Sequence, residues 1–356
     1  MVSHKVLTHY PPFPDDVPTF SLFTISLSKL LARDEIETQR LIQACEEIGF
    51  FYLNVQDAGS ASKILEDVDR IFHTAVDLFD LPLEEKKKYD FSGRGSYFGY
   101  KETGAEVLRD GYVDRNESYN VPRNEMLAVS NDFPTPEVLQ RSRPVFQSMM
   151  RTSHSIASLL LELINDNLGL PKNTLNNFHR IDMPSGDAVR LIKAPPQPEN
   201  DRRTALAEHT DYGSITIVFN RMGGLQVLPP GETTKWVYVR PLPGHAIVNI
   251  GDAMVKFTSG LLRSNLHRIV SPPGDQANYT RYSMLYFCRP DDHVLLRRLE
   301  GSSRIPKLGE GVVEEPINSK DWVLRRGLGR RSNLPSIDFE KTAGTEMMNR
   351  AVKVKA

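Results

Sequence analysis

The sequence predicts an α+β chain with a mainly β core, its strands forming a barrel or sandwich of the jelly-roll kind with helices packed around it. Three observations carry that expectation. From Asp187 onward, apolar runs of four to nine residues that alternate or are β-branched follow one another, each broken by turn residues. Before Asp187, apolar residues instead recur mainly at helical spacing. The 356 residues are 40% hydrophobic, enough to fill a substantial core without disulfide staples.

Taken in order, a polar, Pro-rich lead is followed by FSLFTISLSKLL, which reads as a short strand and turn. An amphipathic helix runs through DEIETQRLIQACEEI, with Leu41, Ala44, Cys45 and Ile48 on one face and Gly49 placed to end it; FFYLNV is a strand. A second helix covers SKILEDVDRIFHTAVDLFDLP, with Ile64, Leu65, Val68, Ile71, Phe72, Ala75 and Phe79 as its apolar stripe and His73 beside it in a structural role. The irregular FSGRGSYFGYKETG predicts a loop, and ESYNV a short strand. One long helix is expected from Thr135 to about Leu168, with Pro136 at its first position, Pro144 a place for a kink, and GLP closing it.

The strand-rich half comprises AVRLIKA, SITIVFN, LQVL and WVYV joined by a PPGE hairpin turn, HAIVNIG, HRIVSPP and RYSMLYFCRP. The last stretch, FEKTAGTEMMNRAVKVKA, predicts a polar helix that packs outside or frays. The N-terminus lacks a signal-peptide core, and no run is long enough for a membrane helix, so a soluble, cytoplasmic protein without a membrane partner is expected. A formal charge of −1 argues against a nucleic-acid partner. The basic cluster WVLRRGLGRR is expected to be a solvated helix end, and Cys45 and Cys288 to be buried reduced thiols.

Chemistry enters at AEHTDYGSIT. On a strand, His209 and Asp211 would project to one face and could meet one ion. A His-x-Asp pair alone is common and weak. His267, 56 positions after Asp211 and opening the run HRIV, supplies a third candidate ligand. Two imidazole nitrogens and one carboxylate oxygen from adjacent strands make a facial triad that leaves positions of an octahedral metal open. Arg281 and Ser283 follow in RYS and share a strand face, a guanidinium fork beside a hydroxyl that suits a carboxylate.

The pattern HxD, then H, then RxS resembles the iron(II)- and 2-oxoglutarate-dependent dioxygenases of the isopenicillin N synthase-like superfamily. IETQRLIQACEEIGFFYL is similar to that family's N-terminal region, HAIVNIGDAMVKFTSGLLRSNLHRIVSPP to its barrel, and DWVLRRGLGRR to its tail, with wording closest to fungal members of specialised metabolism. The resemblance implies a double-stranded β-helix flanked by helices. It implies an N-terminal extension over 1–18, a non-haem dioxygenase region over 19–135, a connecting helix over 136–184, the jelly-roll domain over 185–292 and a tail over 293–356 packed on the barrel. It makes His209, Asp211 and His267 the iron(II) ligands and sets Arg281 and Ser283 on the distal carboxylate of 2-oxoglutarate, with O2 as the other co-substrate.

One departure stands out. Where many plant members carry an Asn and a Tyr that help hold 2-oxoglutarate, RLIKAPP has Ile192 and Ala194, so either Lys193 or Arg190 takes over that role or the co-substrate is held less tightly. Substrate candidates are Tyr119 and Asn120, the aromatic loop at Tyr97, Arg190, Phe287 and Arg289, the last a cation that would favour an acidic or phenolic small molecule. The implied reaction oxidises a C–H bond by hydroxylation, desaturation or ring rearrangement and releases succinate and carbon dioxide. Three alternatives remain open at this point: an oxidase of the isopenicillin N synthase type that uses no 2-oxoglutarate, a non-catalytic binding protein on the same fold, and a metal-dependent hydrolase or isomerase, which would not need RYS.

Overall fold

Two sheets face one another in the computed structural model, which describes residues 10–309 except 60, 109–110 and 131–132, and after these 314, 317–329, 331 and 344–345. The strands are β1 (Phe23–Ser26), β2 (Phe50–Asn54), β3 (Gly99–Lys101), β4 (Glu117–Pro122), β5 (Ala188–Ala194), β6 (Leu206–His209), β7 (Ile215–Asn220), β8 (Leu225–Val227), β9 (Val237–Tyr238), β10 (His245–Ile250), β11 (His267–Ile269) and β12 (Arg281–Cys288). The larger sheet has the order β1-β2-β10-β7-β12-β5-β4-β3 and the smaller β6-β11-β8-β9. β8 and β9 pair antiparallel across the PPGE turn.

Strand alternation divides the larger sheet into two chemically distinct faces. Val189, Leu191, Ile215, Ile217, Phe219, Met284 and Tyr286 join the main core with the helices Ala61–Phe79 and Arg143–Asn167. Their strand neighbours turn toward the smaller sheet, where Phe50, Tyr52, Val218 and Ile247 pack on Leu225, Val227, Val237 and Val239. At the other end of that inter-sheet space the residues become polar, and the site lies there.

The predicted helix Glu35–Glu47 forms with the Asp34 carboxylate accepting from the Glu37 amide at 2.8 Å. Gly49 follows it at φ +74°, and a Cβ there would lie 2.1 Å from the Arg263 carbonyl oxygen, so this turn needs glycine. Cys45 and Cys288 are free and buried. No helix among the described residues is long and apolar enough to cross a membrane.

Several elements differ from expectation. The single helix from Thr135 is two, Glu137–Arg141 and Arg143–Asn167, parted at Ser142. Pro144 lies in the first turn of the second, where its missing N–H costs nothing; in a continuous helix it would remove a bond. Pro136 caps the first helix and does not open it. The turn after β1 is a short helix, Leu27–Leu31, capped by Ser26. The N-terminal half is also more than a helical flank, because β1 and β2 extend one edge of the larger sheet and β3 and β4 the other. β3 lies inside the predicted loop, a three-residue strand too short to show a period and defined by pairing with β4. The basic cluster is not wholly solvated: the helix Ser319–Leu328 buries Arg326, and Arg331 beyond it is buried too. FEKTAGTEMMNRAVKVKA lies outside the described residues apart from Gly344 and Thr345.

Candidate active site

His209 closes β6 and His267 opens β11, and the two are direct cross-strand partners. Their rings lie 4.2 Å apart between centroids. Each Nδ1 faces a backbone carbonyl, that of Ala207 at 2.7 Å and that of Asn265 at 3.2 Å. A carbonyl only accepts, so each Nδ1 carries the proton and each Nε2 presents its lone pair toward Asp211 Oδ1, at 3.8 Å from His209 and 3.9 Å from His267. The three donor atoms lie within 4.8 Å of one another, the chemistry and spacing of a two-His-one-carboxylate metal centre.

Asp211 reaches this position differently from the expected strand alternation. β6 ends at His209, and Asp211 sits in the irregular segment that follows. Its Oδ2 accepts from Thr216 Oγ1 at 2.6 Å and Asn249 Nδ2 at 2.8 Å, residues paired across β7 and β10. The larger sheet therefore orients the carboxylate, while the smaller sheet carries both imidazoles. Burial opposes ionisation of Asp211, but in the metal-free site the positive charge of the two histidines in their protonated form, with these hydrogen bonds, outweighs it and brings its pKa to about 2. The segment is latched from outside by Asp252, whose amide donates to the Asp211 carbonyl at 2.7 Å and whose carboxylate accepts from Thr210 Oγ1 at 2.9 Å and from Arg326. Arg326 also donates to the Thr210 carbonyl at 2.9 Å, and Trp322 Nε1 to that of Tyr212 at 3.0 Å.

Arg281 and Ser283 stand on the inter-sheet face of β12, opposite Ala194 and Ile192 of β5. The guanidinium is buried, donating from Nε to the Gly223 carbonyl at 2.7 Å and from Nη1 to Ser283 Oγ at 3.0 Å. Gly224, at φ +106°, allows it to lie flat, since a Cβ there would stand 3.1 Å from Nε. Burial alone lowers the Arg281 pKa to about 10, so it stays cationic at neutral pH. A buried cation with a hydroxyl beside it and no carboxylate among its described hydrogen-bond partners fits the carboxylate of a bound diacid.

A cavity open to solvent lies beside His209. Asn120 and Arg190 line it, joined by an Arg190 Nε to Asn120 Oδ1 bond of 2.6 Å, and so does Tyr97. The structure does not bring all the predicted residues there. Lys193 lies on the opposite face of β5 from Arg190, 3.4 Å from Asp80 and 3.7 Å from Glu117, so it is turned away from the Arg281 end of the site. Tyr119 likewise faces the helical core. Phe287 is buried and serves as a platform under Arg190, 4.9 Å from ring centroid to guanidinium.

Arg289 does not line the cavity. It is buried between Gly186 and Gly213, where a Cβ would stand 3.1 and 2.8 Å from its side chain. It donates to Tyr97 Oη and to the Gly186 carbonyl. Burial works against its charge, yet Tyr97, Tyr212, Asp187 and Asp211 nearby raise its pKa. Sequence reasoning missed Thr216, Asn249, Asp252, Arg326 and Arg331. The alternation of Ser118 and Asn120 with Tyr119 and Val121 along ESYNV was the available sign of β4's polar, cavity-facing side.

The sequence model of the 2OG-Fe(II) oxygenase superfamily matches residues 185–290, and that of the N-terminal region named for a non-haem dioxygenase in morphine synthesis matches residues 22–139. A 2-oxoglutarate-dependent dioxygenase of Aspergillus fumigatus is 34% identical over 334 residues, covering 87% of this chain and 86% of that protein. The chain belongs to the 2OG-Fe(II) oxygenase superfamily. A second 2-oxoglutarate-dependent dioxygenase, from Gibberella zeae, is 31% identical over 320 residues, covering 87% of this chain and 88% of that protein. In fold the oxygenase resembles a full-length Neurospora crassa protein solved in complex with alpha-KG and thymine, at a TM-score of 0.72 and 24% identity over 88% of this chain and 98% of that one. Its cofactors are iron(II), 2-oxoglutarate and O2, and the fold is the jelly roll that the strand spacing implied.

Proposed function

We propose that the oxygenase oxidises a C–H bond of a small molecule of specialised metabolism, held in the cavity beside His209, by hydroxylation, desaturation or ring rearrangement. In this reading His209, Asp211 and His267 hold iron(II), and Arg281 with Ser283 binds the distal carboxylate of 2-oxoglutarate. The bound iron supplies an oxidation coupled to decarboxylation of 2-oxoglutarate to succinate and carbon dioxide. The chain's residues fix the imidazole tautomers, hold the Asp211 carboxylate ionised and keep the diacid and substrate in a secluded space between the sheets.

The observation that carries the reading is the triad itself, two imidazoles from the smaller sheet converging with a carboxylate that the larger sheet orients. Visible absorption of the iron(II)-loaded protein under anaerobic titration with 2-oxoglutarate tests it. The expected result is a weak metal-to-ligand charge-transfer band for wild type that needs at least tenfold more 2-oxoglutarate in Arg281→Ala. Failure of wild type to develop the band, or an unchanged titration in the variant, would overturn these assignments.

A further inference from the structure

The wall of the cavity carries more positive charge than its neighbours neutralise. Lys101 is bonded to Asp114 and Arg326 to Asp252, both as buried pairs. Arg190 remains without a carboxylate partner among the described residues, and Arg331 has only a long pair to Glu106, which lines the cavity too. Arg190 is half-buried and stacked on Phe287, and Asn120 takes only its Nε; its terminal nitrogens have no hydrogen-bond partner among the described residues. Arg331 is 4% exposed, its Nε and Nη1 are buried without a hydrogen-bond partner among the described residues, and the nearest carboxylate oxygen there, Glu106 Oε1, is 3.9 Å from Nε. Both line the cavity, and Arg289 adds a third cation beneath its floor at Tyr97.

Buried guanidinium donors left without partners are costly unless something completes them, and a planar fork is completed best by a carboxylate. Like charges around a cavity with low-dielectric walls also draw in an anion. We infer that the substrate is a carboxylate-bearing small molecule whose acid group is bound by Arg190 and Arg331, its body lying along Tyr97, Ile192 and Leu206 toward His209. This rests on the function proposed above.

The anion is not the 2-oxoglutarate itself. Arg281 pairs with Ala194 in the β5–β12 register and Arg190 with Leu285, four residues further along, about 13 Å of strand at ~3.3 Å per residue. Arg281 and Ser283 also do not line this cavity, whereas His209 does. The register thus separates an inner cation for the co-substrate from an outer pair for the substrate.

The test uses full-length protein loaded with manganese(II) and 2-oxoglutarate and a panel of aryl- and alkyl-carboxylic acids, each matched with its methyl ester. Binding is read by calorimetry and by the rise in melting temperature. The expected result is that acids bind at least tenfold more tightly than their esters, and that Arg190→Met or Arg331→Met removes this preference while the dissociation constant for 2-oxoglutarate stays within about twofold. Equal binding of acids and esters overturns the proposal, as does an absence of binding by any acid to protein that has taken up 2-oxoglutarate. A proportionate loss of 2-oxoglutarate affinity in Arg190→Met overturns it too, and would assign that arginine to the co-substrate. Failure of wild type to bind 2-oxoglutarate at all would instead count against the function on which the proposal rests.

Discussion

Asp211 does more at its position than complete a ligand set. One oxygen is occupied by Thr216 and Asn249 and the other is presented to the two imidazoles, so the carboxylate is aimed before any metal arrives. Asp211→Ala removes that oxygen but keeps the backbone carbonyl that accepts from Asp252. The variant is expected to retain the wild-type circular dichroism spectrum, at a cost of about 1–3 kcal/mol for the unpaired Thr216 and Asn249 groups, and to lose stoichiometric iron(II) binding and 2-oxoglutarate turnover. Metal analysis of the reconstituted variant checks this, and full iron occupancy would remove Asp211 from the ligand set. The residue types at 209, 211, 267, 281 and 283 were legible because donor chemistry is written in the residue itself. Their supporting groups were not: Thr216 and Asn249 are ordinary strand residues whose role depends on which strands become neighbours.

At the scale of elements, the segment carrying Asp211 is clamped between Asp252 and the helix Ser319–Leu328. That helix inserts Arg326 into a buried pair with Asp252, and its cluster of arginines looked like a solvated end because sequence shows charge but not the carboxylate waiting for it. Arg326→Met leaves the buried Asp252 carboxylate with one strong donor gone. We expect iron(II) affinity to fall about 10- to 100-fold, the range for loss of an outer support of a metal site, with little change in secondary structure. Competition with a chelator measures it, and an unchanged metal affinity would show that the latch is dispensable. Elements with a clear period, such as the helix Glu35–Glu47 and β12, were readable from sequence, whereas β3 and the break at Ser142 depend on pairing and on one proline.

For the whole molecule, Asp187 fastens the N-terminal half to the barrel. Its carboxylate takes Arg123 at 3.2 Å, Tyr286 Oη at 2.8 Å and the Arg289 amide at 2.7 Å, all buried. Burial opposes its ionisation, but Arg123, His154 and these hydrogen bonds prevail and lower its pKa below the ordinary 3.8. A carboxyl depressed on folding stabilises fully above the unfolded value and loses that contribution as pH falls through the folded one. Asp187→Ala is expected to cost about 3–5 kcal/mol in denaturant unfolding at pH 7, because Arg123 is left buried and unpaired, and the gap from wild type is expected to narrow as pH drops from about 5 toward 2. A gap that does not change with pH would show that the carboxylate's charge contributes nothing there. The jelly-roll class was legible from strand spacing, but the enlistment of β1 to β4 into the larger sheet was not, since pairing partners far apart along the chain leave no mark in a local window. The cross-strand pairing of His209 with His267 carries a last implication. Two ligands meet only when β6 has found β11, and the third is aimed only when β7 lies beside β10, so metal uptake during refolding should lag behind helix formation and report when both sheets have closed.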